Sequence, residues 1–127
     1  MRCPCTLRIG RGIDPAVVSK LRTSVVCGAA NNQLSTDTVA EQLRDRKIVY
    51  VPDFIANAGG LMYASGIEVH HRSEAASEKH TRDKIAENVT HVLEQASDKA
   101  ITTQAAALEL ARRRLCSATR WPAGQES

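Results

Sequence analysis

The chain has 127 residues, 43% of them hydrophobic and 24% charged, enough to bury roughly two-thirds of its unfolded surface around one core and too apolar for a disordered chain. Aromatic residues make up only 3%, too few for a base-stacking surface. The formal net charge of +3 gathers at Arg2, Arg8 and Arg11 near one end and at Arg112, Arg113, Arg114 and Arg120 near the other, which reads as solvated surface and not as a nucleic-acid footprint.

In chain order, Cys3 and Cys5 come first; with Cys27 and Cys116 they form neither paired C-x-x-C motifs nor a disulfide framework, so reduced thiols and no metal are expected. Asp14 to Leu21 offers an N-cap, a proline at the first helical position and apolar residues on one side, the pattern of a short helix. Ser24 to Ala30 is a compact apolar run with β-branched valines, a strand that ends in the turn Asn31-Asn32. Ser35 to Arg46 carries Val39, Ala40 and Leu43 at helical spacing, and Ile48 to Val51 is a second buried strand closed by Pro52. Strand, helix and strand within about 30 residues predict a right-handed crossover with parallel strands.

Pro52 to Gly60 reads as a loop or single turn, and Leu61 to about Val69 as a helix whose amino end is Gly59-Gly60. Past a polar joint at His70 to Ser73, Glu74 to Ser97 places Ile85, Val89, Val92, Leu93 and Ala96 three and four apart, a long amphipathic helix. A last helix is predicted from about Thr103 to Leu115, capped by Thr102 or Thr103, before a tail from Trp121. The sequon Asn88-Val89-Thr90 matters only in a secreted chain. No run approaches about 18 apolar residues and no long apolar leader opens the sequence, so a cytoplasmic protein without a membrane span is expected.

In an open parallel sheet, ligands bind beyond the carboxyl ends of the strands. Both loops there carry asparagines, Gly28-Ala29-Ala30-Asn31-Asn32 and Asp53-Phe54-Ile55-Ala56-Asn57-Ala58-Gly59-Gly60. Asparagine donates and accepts while Gly and Ala allow close approach, which suits a sugar or amide ligand; equally, Asn31 and Asn32 can simply make turns and the glycines a tight lead into the next helix. Composition alone does not choose between these.

Ile48-Val49-Tyr50-Val51 followed by Pro52-Asp53-x-x-x-Asn57-Ala58-Gly59-Gly60 resembles the glutamate, leucine, phenylalanine and valine dehydrogenase family. Val25-Val26-Cys27-Gly28-Ala29-Ala30-Asn31-Asn32-Gln33-Leu34 looks like that family's preceding strand and cofactor loop, and Cys3-Pro4-Cys5 is similar to a segment further upstream in its branched-chain and aromatic members. The resemblance spans roughly residues 3 to 115, is strongest from Val25 to Gly60, and leans toward the leucine, valine and phenylalanine members.

It implies an α/β fold, the C-terminal half of a doubly wound, Rossmann-like NAD(P)-binding domain: a cofactor-crevice βαβ unit over about 24–60, helices over about 61–115 and a tail at 116–127. It implies oxidative deamination of an L-amino acid to a 2-oxo acid with NAD or NADP. Ala30 and Asn31 would line the nicotinamide-ribose site, Asn57 would meet cofactor or substrate, and Leu61 and Ala64 would face the substrate side chain.

The family's G-x-G-x-x-G fingerprint has no counterpart here; Gly10-x-Gly12 lacks the third glycine, and Leu7-Arg8-Ile9 is a poor first strand. The family's catalytic lysine and aspartate belong to a separate substrate domain that nothing here resembles, and Asp53 reads as a cap or hydrogen-bond partner and not as a general base. An edge strand is expected to stand uncovered, so a missing amino-terminal half or a homo-oligomer is the expected partner. A non-catalytic interaction or oligomerisation module derived from the same family is the alternative.

Overall fold

A computed structural model describes residues 12–28 and 30–118. The Cys3/Cys5 pair, Leu7 to Ile9, Gly10 and the tail from Trp121 lie outside the described residues, as does Ala29 of the first asparagine loop. The elements are α1 (Pro15–Lys20), β1 (Val25–Val26), α2 (Asp37–Asp45), β2 (Val49–Tyr50), α3 (Asp53–Ala56), α4 (Gly59–Glu68), α5 (Glu74–Asp98) and α6 (Thr103–Ala118).

Local chemistry sets most boundaries. Asp14 caps α1 by accepting the Val17 N–H at 2.8 Å, with Pro15 in the first turn where its missing N–H costs nothing. Ser73 caps α5 in the same way through the Ala76 N–H. Both threonines at the start of α6 are used, for different ends: Thr102 Oγ1 accepts from the Ala105 N–H at 3.1 Å and is the cap, while Thr103 Oγ1 donates to the Tyr50 carbonyl at 2.6 Å.

β1 and β2 pair in parallel, Val25 opposite Val49 and Val26 opposite Tyr50, with α2 between them in sequence. The predicted βαβ unit is therefore present, but its strands are two residues each where runs of seven and four were expected. Two ladder bonds frame the pairing, Val49 N–H to Ser24 O and Val51 N–H to Val26 O, each 2.9 Å. Beyond Val26, Cys27 and Gly28 stand outside the strand.

One core cluster fills the crossover: Ile13, Val18, Val26, Val39, Leu43, Ile48 and Tyr50. A second lies under the C-terminal helices, where Ile55 meets Val92 and Ala96 of α5 and Ala106, Ala107 and Leu110 of α6. Of the face that the three-and-four spacing of α5 predicted, Val92 and Ala96 are buried and Ile85, Val89 and Leu93 half-buried.

Polar bonds across the α5–α6 seam explain part of the C-terminal basic run. Arg114 donates to the Asn88 side chain at 2.7 Å, and Arg113 to the Gln95 side chain, so these two arginines, exposed as the sequence suggests, also bond across the helix seam. Asn88 is 4% exposed, which removes its sequon from consideration. No described helix is long and apolar enough to cross a membrane.

Candidate functional site

The two asparagine loops leave β1 and β2 side by side, as parallel pairing requires, and they touch. Asn57 Nδ2 donates to Asn31 Oδ1, joining residues 26 apart in the chain. Asn31 is exposed, Asn57 and Ala30 are half-buried.

Behind this pair, a polar pocket of about 300 Å³ is lined by Asn31, Asn32, Leu34, Asp53, Phe54 and Gln104. Gln104, in the first turn of α6, lines that pocket, and its Oε1 is buried without a hydrogen-bond partner among the described residues. Sequence reasoning assigned α6 no part in the site, because an alanine-rich helix far along the chain carries no motif; only the fold, through Thr103 bound to Tyr50, brings Gln104 here.

Asp53 is 7% exposed and its carboxylate is fully engaged within the protein. Oδ2 accepts the Asn32 N–H at 2.7 Å, and Oδ1 accepts the Tyr50 hydroxyl at 3.2 Å. The structural reading of Asp53 as a hydrogen-bond partner therefore holds.

Burial, and secondarily the Asp53 carboxylate, push the Tyr50 phenol well above its ordinary value of 10. The phenol in the unfolded chain loses its proton first as pH rises, so this contribution to stability is intact below pH 10 and lost above it. Tyr50→Phe should accordingly flatten the fall of Tm as pH rises above about 10, measured against the wild-type chain.

Comparison with known proteins follows the same residues. The sequence matches the family described as Glutamate/Leucine/Phenylalanine/Valine dehydrogenase over residues 4–121. The chain belongs to this dehydrogenase family. It is 37% identical over 112 residues to a phenylalanine dehydrogenase of Caldalkalibacillus thermarum, covering 88% of this chain and 29% of that relative. It is 35% identical over 119 residues to a valine dehydrogenase of Streptomyces virginiae, covering 91% of this chain and 31% of that relative. The crystal structure of an L-tryptophan dehydrogenase from Nostoc punctiforme superposes with a TM-score of 0.76 at 29% identity, over 89% of this chain and 34% of that one. This member of the dehydrogenase family thus spans about a third or less of the length of those relatives, as a partial Rossmann-like α/β unit.

Leu61 and Ala64 stand one turn apart on α4 of this dehydrogenase unit, Leu61 80% exposed and Ala64 half-buried. Neither lies on the wall of the asparagine pocket. Among the described residues no cluster of three or more His, Cys, Asp or Glu is placed to hold a metal ion.

Proposed function

We propose that the chain forms one wall of the nicotinamide crevice in an NAD(P)-dependent L-amino acid dehydrogenase that interconverts an L-amino acid and its 2-oxo acid. The observation that carries this reading is the direct Asn31–Asn57 contact between the two loops that leave the parallel strands. Family membership supports the chemistry, and relatives named for phenylalanine and valine support a neutral side chain as substrate.

The residues suit the nicotinamide-ribose half of the cofactor. The amides of Asn31, Asn32 and Gln104 and the ring of Phe54 offer uncharged donors, acceptors and a flat apolar surface around about 300 Å³. When bound, the cofactor accepts the hydride. Asn31 and Ala30 would hold its ribose and carboxamide side, and Asn57 would fix the distance to the substrate carbon, where about 3–3.5 Å is productive. Leu61 and Ala64 would border the substrate side chain, the small Ala64 leaving room for a larger one.

Proton transfer and pyrophosphate binding belong to other parts of such an enzyme. Among the described residues the sheet has only two strands, β1 and β2, so further strands of the intact cofactor domain would pair beyond β1. The isolated chain is therefore expected not to reduce NAD or NADP with leucine, valine, phenylalanine or glutamate at the rate of an intact dehydrogenase.

Titration of the ¹⁵N-labelled chain with NAD and, separately, NADP tests the assignment by NMR. Shift changes should centre on Ala30, Asn31 and Asn57. Changes confined to α5 and α6, with the two loops silent, would favour an interaction module over a cofactor wall.

A further inference from the structure

We infer that Asp53 is a positioning residue that sets the Asn31–Asn57 pair by gripping both asparagine loops at once. The inference rests on reading that pair as the nicotinamide contact. Asp53 reaches the first loop through its side chain, where Oδ2 accepts the Asn32 N–H at 2.7 Å across 21 residues of sequence. It is itself part of the second loop, where its carbonyl accepts the Asn57 N–H at 2.8 Å in the backbone bond that closes α3. Its side chain therefore ties the residue after Asn31 to the turn that carries Asn57.

The first grip holds a turn conformation. Asn32 has φ 52°, the left-handed region, which asparagine enters more readily than other non-glycine residues but still at some cost. A bond from its N–H to a fixed carboxylate offsets that cost and fixes the direction in which Asn31 presents its amide.

Asp53 is itself fixed. Its other oxygen takes the hydroxyl of Tyr50, which is 2% exposed, and the Tyr50 carbonyl takes the Thr103 hydroxyl at 2.6 Å. Of the two side-chain bonds, the 2.7 Å contact from Asn32 is the shorter and closer to ideal, whereas 3.2 Å is long for a hydroxyl on a carboxylate. Loss of Asp53 should therefore disturb the pair more than loss of the Tyr50 hydroxyl. An acceptor-only group suits a place where an N–H and an O–H converge. Asparagine can still accept from Asn32 through Oδ1 and turn its NH₂ toward the Tyr50 oxygen; alanine can do neither.

The contrary possibility is that Asp53 only favours the start of α3. That helix is four residues long, too short for much of a dipole, and such a role would leave the asparagine side chains unmoved.

The test uses the full ¹⁵N-labelled chain without cofactor, reading the side-chain NH₂ signals of Asn31 and Asn57 and the hydrogen exchange of the Asn32 amide. Asp53→Ala should displace both NH₂ signals and speed Asn32 exchange at least about tenfold. Asp53→Asn should restore both toward wild type, and Tyr50→Phe should shift them less than Asp53→Ala. Should Asp53→Ala fail to fold, Asp53→Glu keeps the charge but moves the oxygens by one methylene, and should displace the same signals. NH₂ signals at their wild-type positions in Asp53→Ala or Asp53→Glu, or displaced equally in Asp53→Ala and Asp53→Asn, would overturn the inference. Because none of these readings needs a ligand, a wild-type chain whose loops ignore NAD would sink the cofactor reading separately.

Discussion

Leu43→Ala is expected to lower the unfolding free energy by about 2–5 kcal/mol, the largest single loss we anticipate. Leu43 is 0% exposed at the centre of the cluster formed with Ile13, Val18, Val26, Val39, Ile48 and Tyr50. Truncation removes apolar contact and leaves a cavity between α2 and the two strands, where short strands give little ladder bonding to resist collapse. The Leu43 carbonyl also accepts the Ile48 N–H at 2.9 Å as the chain turns from α2 into β2, so loosening here reaches the strand that carries Tyr50. The consequence is functional as well as energetic, since both asparagine loops start from this sheet. Denaturant unfolding followed by circular dichroism measures it; Leu108→Ala, at a site 38% exposed, should change stability far less. Equal losses in the two variants would mean that the crossover is not the core of the fold.

Gly66→Ala should destabilise the chain by about 1–3 kcal/mol, although alanine in a helix interior ordinarily gains about 0.5–1 kcal/mol over glycine. Sterics decide the sign. A Cβ at Gly66 would lie 2.1 Å from Ser77 Oγ and 3.1 Å from Ser77 Cβ, where α4 crosses α5. Ser77 is 0% exposed and its hydroxyl donates to the Tyr63 carbonyl at 2.8 Å. Rotating that hydroxyl away would break the bond and strand a buried polar group, so the helices must part instead. Because α4 also carries Leu61 and Ala64, its displacement would move the proposed substrate wall. Ser77→Ala removes the closest atom, so the double variant Gly66→Ala/Ser77→Ala should recover part of the loss, and the difference from additivity measures the contact. By contrast, Gly60→Ala meets nothing within 4 Å and should be tolerated.

The contrast between these glycines shows where sequence reading succeeds. Gly59-Gly60 was legible as the start of α4, because small residues after a proline-closed strand mark a helix entrance whatever the fold around it. Gly66 was not, since what forbids a side chain there is Ser77, brought across by the packing of α5. The βαβ unit was legible for a similar local reason: Val39, Ala40 and Leu43 repeat at helical spacing between two β-branched runs. Strand length was not: β1 ends at Val26, and the loop after it is held at Asn32 by Asp53, an interaction across 21 residues that leaves no local pattern.

The site divides the same way. Asn31 and Asn57 could be singled out from the loops that follow each strand, and the structure joins them. Gln104 could not, because it reaches the pocket only through the return of α6 over β2. Arg113 and Arg114 are exposed, as their charge suggested, but their bonds to Gln95 and Asn88 across the helix seam leave no local trace in sequence.

The proposed function requires residues 25–60 to present a working nicotinamide wall, with Asn57 at its reactive end. The most direct measurement replaces the matching segment of the Streptomyces virginiae valine dehydrogenase with these residues and follows valine-dependent reduction of the cofactor. The chimaera should fold and turn over, and its kcat/KM should fall about 100-fold or more when Asn57 is changed to alanine. A folded chimaera that Asn57→Ala leaves as active as its parent would contradict it.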